Sequence, residues 1–188
     1  MQKKYRLTDE TIRFNGVKLY RIEALKNFGY VNKGDKGGFV QSEENLSQFG
    51  NCWIYQDAKV FNNGYLCRDA VCMDNSMIYE DAMVDGDVVV SGTSIVRGNA
   101  VVYGKAFIKD ALIERDSDYI TFKNWWSSMR YFTWTRSNNM WSVGCFYGTG
   151  KELIEKAYKD SEVSGREYKR VVDYVESILR DENQNQTL

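Results

Sequence analysis

Histidine and proline are both absent from these 188 residues. Without imidazole the chain lacks the most common general base, the side chain that titrates near neutrality, and the commonest zinc ligand. Without proline every residue keeps a backbone N–H, which is compatible with long strand ladders. Long apolar runs are missing as well: the longest aliphatic stretch is Val88-Val89-Val90, far short of a membrane span. The basic start, Met1-Gln2-Lys3-Lys4-Tyr5-Arg6, leads into no apolar stretch of signal-peptide length, so a cytoplasmic location is expected. Charge is balanced, with 25 basic and 26 acidic side chains, so no overall basic field favours nucleic acid. The four cysteines, Cys52, Cys67, Cys72 and Cys145, match no zinc spacing and read as reduced structural thiols. No metal or cofactor is expected.

What is present describes a soluble globular chain, 43% hydrophobic and 27% charged, of one domain or two small ones. Five Trp and thirteen Tyr are many for this length and suggest surfaces built to bind. The strongest feature is a repeat of six. From Asn51 the chain divides into NCWIYQ, DAKVFN, NGYLCR, DAVCMD, NSMIYE, DAMVDG, DVVVSG, TSIVRG, NAVVYG and KAFIKD. An eleventh unit, Asp110-Ala111-Leu112-Ile113-Glu114-Arg115, follows after a one-residue slip. The fourth column is aliphatic or Cys (Ile54, Val60, Leu66, Cys72, Ile78) and the second is small (Cys52, Ala58, Gly64, Ala70, Ser76). Alternate strand residues face the same way, so these two columns share a face. Asn, Asp and Gly in columns one and six supply turn chemistry. One hexad cannot bury its apolar side, whereas stacked coils bury a continuous one.

These hexads resemble the hexapeptide-repeat, left-handed parallel β-helix family over residues 51–115. The resemblance implies 18 residues per coil and three to four coils. Many members of that family are acyltransferases and others hold a metal, and both kinds rely on histidine. It therefore implies fold but no catalytic residue here. The opening, from Tyr5-Arg6-Leu7-Thr8 to Gly37-Gly38-Phe39-Val40-Gln41-Ser42-Glu43-Glu44-Asn45-Leu46-Ser47, is similar to phage and prophage proteins with the same cap and hexads. That similarity implies a mobile-element origin.

An 18-residue period stacks Trp53, Val71, Val89 and Phe107 into one outward stripe, with Phe61 and Tyr79 in a second. Apolar stripes of this kind mean covered surface, by another subunit or by the chain's own ends. A homo-oligomer, trimer or dimer, is the expectation, with these six residues at its interface.

The flanks read differently. Ile12 to Tyr20 forms a hairpin around Asn15-Gly16, and Gly34 to Val40 is a glycine-rich loop in a cap spanning 1–50. Beyond the solenoid (51–116), residues 117–188 predict an α+β module. It holds strands at 119–123, 129–136 and 140–147, then two helices with capping boxes at Thr149–Glu152 and Ser164–Glu167. The end, from Asp181 to Leu188, is polar and expected to fray.

This module holds four of the five tryptophans. Trp125, Trp126, Arg130, Trp134, Arg136 and Trp141 are the candidate contact residues: aromatic faces to stack a ring, guanidinium groups to hold phosphate. The alternative places Phe132 and Trp134 in a core beneath the helices. Since adjacent residues rarely both face inward, one of Trp125 and Trp126 is expected in solvent. No catalytic residue is assigned. The expected function is non-catalytic binding of a host protein, for example inhibition of a defence system as an anti-CRISPR protein does. Three alternatives stay open: an oligomeric sponge for a small nucleotide, a histidine-independent transferase on the solenoid flank, and a structural virion component. Neither a membrane nor direct nucleic-acid contact is expected.

Overall fold

A computed structural model describes residues 2–185. The hairpin pairs β1 (Tyr5–Phe14) with β2 (Val17–Ala24), and its turn residues Asn15 and Gly16 both take positive φ, 48° and 80°. That is the primed turn the right-handed twist of a hairpin favours. The glycine-rich stretch is not a loop. Its second half is β3 (Lys36–Val40), antiparallel to β2 and parallel to the first solenoid coil through Phe39↔Lys59 and Val40↔Val60. Glycine is required there because the backbones approach so closely. A Cβ on Gly38 would lie 2.4 Å from the carbonyl oxygen of Ala58, and one on Gly37 2.6 Å from that of Ile54.

The first full coil is β4 (Trp53–Ile54), β5 (Lys59–Val60) and β6 (Tyr65–Leu66). The second is β7 (Val71–Cys72), β8 (Met77–Ile78) and β9 (Met83–Val84), and the third β10 (Val89–Ser91), β11 (Ile95–Val96) and β12 (Val101–Val102). A further coil begins with β13 (Phe107–Lys109) and β14 (Leu112–Ile113). Each strand pairs in parallel with the one 18 residues on, as in Trp53↔Val71↔Val89↔Phe107. The slip at Asp110 appears as Ile95↔Leu112, 17 residues apart. With β3 the ladder makes a mainly β solenoid of about four turns.

Columns two and four fill the interior: Ala58, Val60, Ala82, Val84, Val90 and Val96 are all fully buried. The corners explain column six. Every corner residue from Gln56 to Asp110 has a positive φ, supplied by Gly at 86, 92, 98 and 104 and by polar residues elsewhere. Those polar side chains also tie coil to coil. Glu80 Oε2 accepts from Gly98 N at 2.8 Å, and Asp74 Oδ2 accepts from Gly92 N at 2.8 Å. In column one Asn51 Nδ2 donates to Asp69 Oδ1 at 2.8 Å and Asn63 Nδ2 to Asp81 Oδ1 at 2.7 Å. Alternating Asn with Asp thus turns stacked like charges into stacked hydrogen bonds.

The solenoid's outward stripes are partly covered by the chain itself. Trp53 is 1% exposed, packed edge-on against Phe28 (5.4 Å between centroids) and Tyr5 (6.3 Å). Phe61 is 3% exposed, stacked on Tyr79 at 4.9 Å and met edge-on by Phe14 of the hairpin at 5.8 Å. Trp53 and Phe61 are therefore not available to a second subunit. Val71, Val89, Tyr79 and Phe107 stay half-buried.

The last coil is covered by a sheet of four antiparallel strands: β15 (Tyr119–Lys123), β16 (Tyr131–Thr135), β17 (Met140–Val143) and β18 (Phe146–Gly148). The expected third strand is split by a two-residue turn at Gly144-Cys145, where Gly144 has φ 58°. Side chains stitch sheet to solenoid. Thr133 Oγ1 accepts from Phe107 N at 3.0 Å, Ser137 Oγ accepts from Leu112 N at 2.8 Å, and Asn138 Nδ2 donates to Asp110 O at 2.9 Å. Helices α1 (Gly150–Asp160) and α2 (Glu162–Asn185) pack on its other side. Thr149 and Glu152 form the expected capping box, but Ser161, not Ser164, opens α2: its Oγ accepts from Ser164 N at 3.1 Å. Asp181 to Asn185 continue α2, while Gln186 to Leu188 lie outside the described residues. No helix among the described residues is long and apolar enough to cross a membrane.

Candidate functional site: the groove at the solenoid corner

One solenoid corner stacks two opposite-charge pairs beside exposed tyrosines. An 18-residue period stacks Cys67-Arg68-Asp69, Asp85-Gly86-Asp87 and Tyr103-Gly104-Lys105 one above another. Where this corner meets the C-terminal sheet, a cleft of about 400 Å³ opens between Tyr103, Lys105, Asp116, Tyr119, Thr121 and Tyr131. A second region of about 520 Å³ continues down the corner past Asp87, Asp85 and Arg68 and shares Tyr103, Lys105 and Tyr131 with the first. Together they form a groove large enough for a nucleotide-sized molecule.

Its charges are arranged in pairs. Lys105 Nζ lies 3.1 Å from Asp87 Oδ2, and Arg68 Nε 2.9 Å from Asp85 Oδ1. Lys105 and Lys123 each place Nζ 5.9 Å from the centre of the Tyr131 ring, so two cations stand near one exposed phenol. Tyr103 and Tyr131 are 63% and 42% exposed, which leaves their faces open for stacking. Asp116 is committed to structure, its Oδ1 accepting from Val101 N at 2.8 Å. Tyr119 Oη accepts from Tyr103 N at 3.1 Å, and burial raises the pKa of its phenol. Burial, helped by the neighbouring Asp85, pushes the Cys67 thiol up to about 12. Both groups thus keep their protons at neutrality, and neither can act as base or thiolate nucleophile there. Thr121 Oγ1, in the cleft wall, is buried without a hydrogen-bond partner. The groove can hold an aromatic ring and an anionic group, and Asp87 and Lys105 give it one exposed carboxylate beside one ammonium.

Most of the expected contact residues lie elsewhere. Trp134 and Trp141, each 1% exposed, belong with Phe132 to the core beneath the helices, which corrects their reading as contact residues. Alternation along β16 turns Phe132 and Trp134 inward together, and the helices need large side chains beneath them. Arg136 is engaged in structure: its Nη1 lies 2.5 Å from Glu182 Oε2, its Nε donates to Ser117 O at 3.3 Å, and its guanidinium covers Trp134. Trp126 is half-buried against Phe132 and Tyr168, with its indole N–H unpartnered. Trp125, beside it, is 64% exposed. Arg130 is exposed beside Tyr131, at a separate small pocket. Nothing in the sequence marks out Lys105, because a turn position of a repeat explains a polar residue by itself, and Tyr103 stands in a column that faces outward. Among the described residues, no cluster of three or more His, Cys, Asp or Glu is placed to hold a metal ion.

No protein-family model matches the chain. The chain is similar to a protein named "uncharacterized acetyltransferase YdcK" from Escherichia coli (strain K12). The two are 37% identical over 73 residues, covering 34% of this chain and 22% of that protein. The chain thus spans under a quarter of the length of the curated relative it matches. This similarity, with the solenoid, fits a hexapeptide-repeat β-helix. It also corrects the expectation of a protein without catalysis, which rested on the missing imidazole, because the similar protein is named a transferase. It carries no indication of a phage setting or of a role against host defence.

Proposed function

We propose that the chain is a histidine-independent acyltransferase whose acyl-thioester donor lies in the corner groove. The observation that carries this reading is the Asp87–Lys105 pair beneath Tyr103 and Tyr131, supported by the similarity to a protein named an acetyltransferase. Acyl transfer needs a group to take the proton of the attacking amine or hydroxyl and a donor for the oxyanion on the thioester carbonyl. A carboxylate can serve as the first and an ammonium as the second. Asp87 would accept the acceptor's proton as the new C–N or C–O bond forms. Lys105 would face the oxyanion until the C–S bond breaks and the thiolate leaves. Tyr103 and Tyr131 offer faces to the donor's ring, with Lys123 beside them for an anionic group.

The test is release of free thiol from acetyl-coenzyme A in the presence of a mixed panel of small amines and alcohols. Lys105→Ala should lower the rate about 10²–10³-fold, the range typical of a lost oxyanion donor. Asp87→Asn should lower it about 10²–10⁴-fold. Thiol release at wild-type rates in both variants would remove the groove from the chemistry.

A further inference from the structure

We propose that the pocket between β16, the β17–β18 turn and the α1–α2 junction binds a small zwitterion of the α-amino-acid class. This inference stands independently of the transfer reading. The pocket encloses about 260 Å³ and is lined by Asn124, Arg130, Cys145, Asp160, Ser164 and Tyr168, among others. That is room for roughly nine waters at about 30 Å³ each, enough for an amino acid and too little for a nucleotide.

The charges in this pocket decide the ligand class. Arg130 and Asp160 line the same cavity, yet among the described residues neither makes an ion pair with the other or with any further group. A guanidinium and a carboxylate that face one space without meeting can each be satisfied by a ligand carrying both charges. A simple anion would leave Asp160 facing its negative charge, and a simple cation would leave Arg130 facing its positive one, so both are disfavoured relative to a zwitterion. Arg130 lies along the β17–β18 turn: a Cβ built on Gly144 would lie 3.8 Å from its Nη1. The turn before it places Met129 at φ 57°, the left-handed region that a non-glycine residue seldom takes. On the other side Asp160 ends α1, close enough to Tyr168 to help burial raise that phenol's pKa.

Hydrogen-bonding capacity completes the site. Tyr168 Oη accepts from Asn124 Nδ2 at 2.8 Å and retains its own proton to donate. Asn124 is itself fixed, its Oδ1 accepting from Ser127 N at 3.0 Å. A carboxylate at Arg130 would find this hydroxyl as a further donor, while an ammonium would face Asp160. Arg130 needs a planar, two-oxygen partner to use its fork fully, and a carboxylate provides one.

Isothermal titration calorimetry on the full chain tests this with serine, leucine and glutamine, their N-acetyl derivatives and their amides. The expected result is saturable binding of at least one free amino acid. Removing either ligand charge should weaken that binding about tenfold or more, and so should Arg130→Gln and Asp160→Asn. Both side chains are exposed and, among the described residues, unpaired, so unchanged thermal unfolding of these variants verifies that they fold. Three results overturn the proposal: no free amino acid binds, an N-acetyl derivative binds as tightly as its parent, or both variants bind as wild type does. Because the readout is binding alone, an inactive corner groove would leave it unaffected.

Discussion

Lys4 places its side-chain nitrogen 3.1 Å from the sulfur of Cys52 and 3.0 Å from the carbonyl oxygen of the same residue, with both side chains out of solvent. This contact ties the N-terminal strand to the first coil and has a pH signature. Burial holds Lys4 below its ordinary 10.5 and raises Cys52 above its ordinary 9.0. A lysine with a depressed pKa contributes stability that is present above 10.5 and lost as pH falls through the folded value. A thiol with a raised pKa contributes stability that is present below 9.0 and lost as pH rises past it. Cys52→Ala removes the second effect and, because the thiol partly offsets the burial of Lys4, deepens the first. Its urea midpoint should therefore fall less steeply than wild type from neutral pH to about pH 10; a steeper fall contradicts the assignment.

Gly38 tests where the solenoid begins. If β3 is its first strand, Gly38→Ala forces a methyl group against Ala58 O and Ile54 Cγ2, each 2.4 Å from the new carbon. A loss of more than about 2 kcal/mol in a denaturant titration is expected, as for overpacking that the backbone cannot relieve. A change within about 0.5 kcal/mol, typical of surface sites, would mean that the segment lies loosely on the coil.

Phe61 reports on the hairpin. It is clamped between Phe14 and Tyr79, so Phe61→Ala should cost about 3 kcal/mol or more and speed proteolysis within residues 8–20. Unaltered proteolysis there would mean that other contacts hold the hairpin.

Val71 and Val89 are the middle of the outward stripe, paired in register and half-buried in the single chain. With Trp53 and Phe61 covered internally, this stretch is the part of the first stripe left for self-association. We expect wild type to run as a homo-oligomer in native mass spectrometry and Val89→Glu as a monomer. Equal masses for the two would show that the stripe is simply solvent-facing strand.

The solenoid was legible in the sequence because its period is rigid. Each interior residue recurs six positions on in a place where only an aliphatic or small side chain fits, so Ile54 and Ala58 reveal the coil before any contact is known. Asn15-Gly16 and Thr149–Glu152 were legible for a similar reason, since each motif meets its own local need. The first strand was not. Gly37 and Gly38 are there because a neighbouring backbone lies against them, and a residue without a side chain shows no alternation to read. The start of α2 was misplaced by three residues because Ser161 and Ser164 are both plausible caps, and only the path of the chain out of α1 decides between them.

The site was harder to read than the fold. Tryptophans looked like binding residues, but Trp134 and Trp141 are large because two helices need a large core beneath them. The groove draws Asp87, Lys105 and Tyr131 from three separate stretches, and only the 18-residue stacking and the docking of the C-terminal sheet bring them together. Asp87 and Lys105 occupy corner positions, where polar residues are expected for structural reasons alone.

The central claim is that an acyl-thioester donor binds at Tyr131, in the corner groove. Native mass spectrometry of the chain mixed with acetyl-coenzyme A tests it most directly, comparing wild type with Tyr131→Ala and with Tyr30→Ala, an exposed aromatic control in the N-terminal cap. One bound molecule per chain in wild type and Tyr30→Ala, lost in Tyr131→Ala, is the predicted result. Absence of binding in wild type, or equal binding in all three proteins, would contradict it.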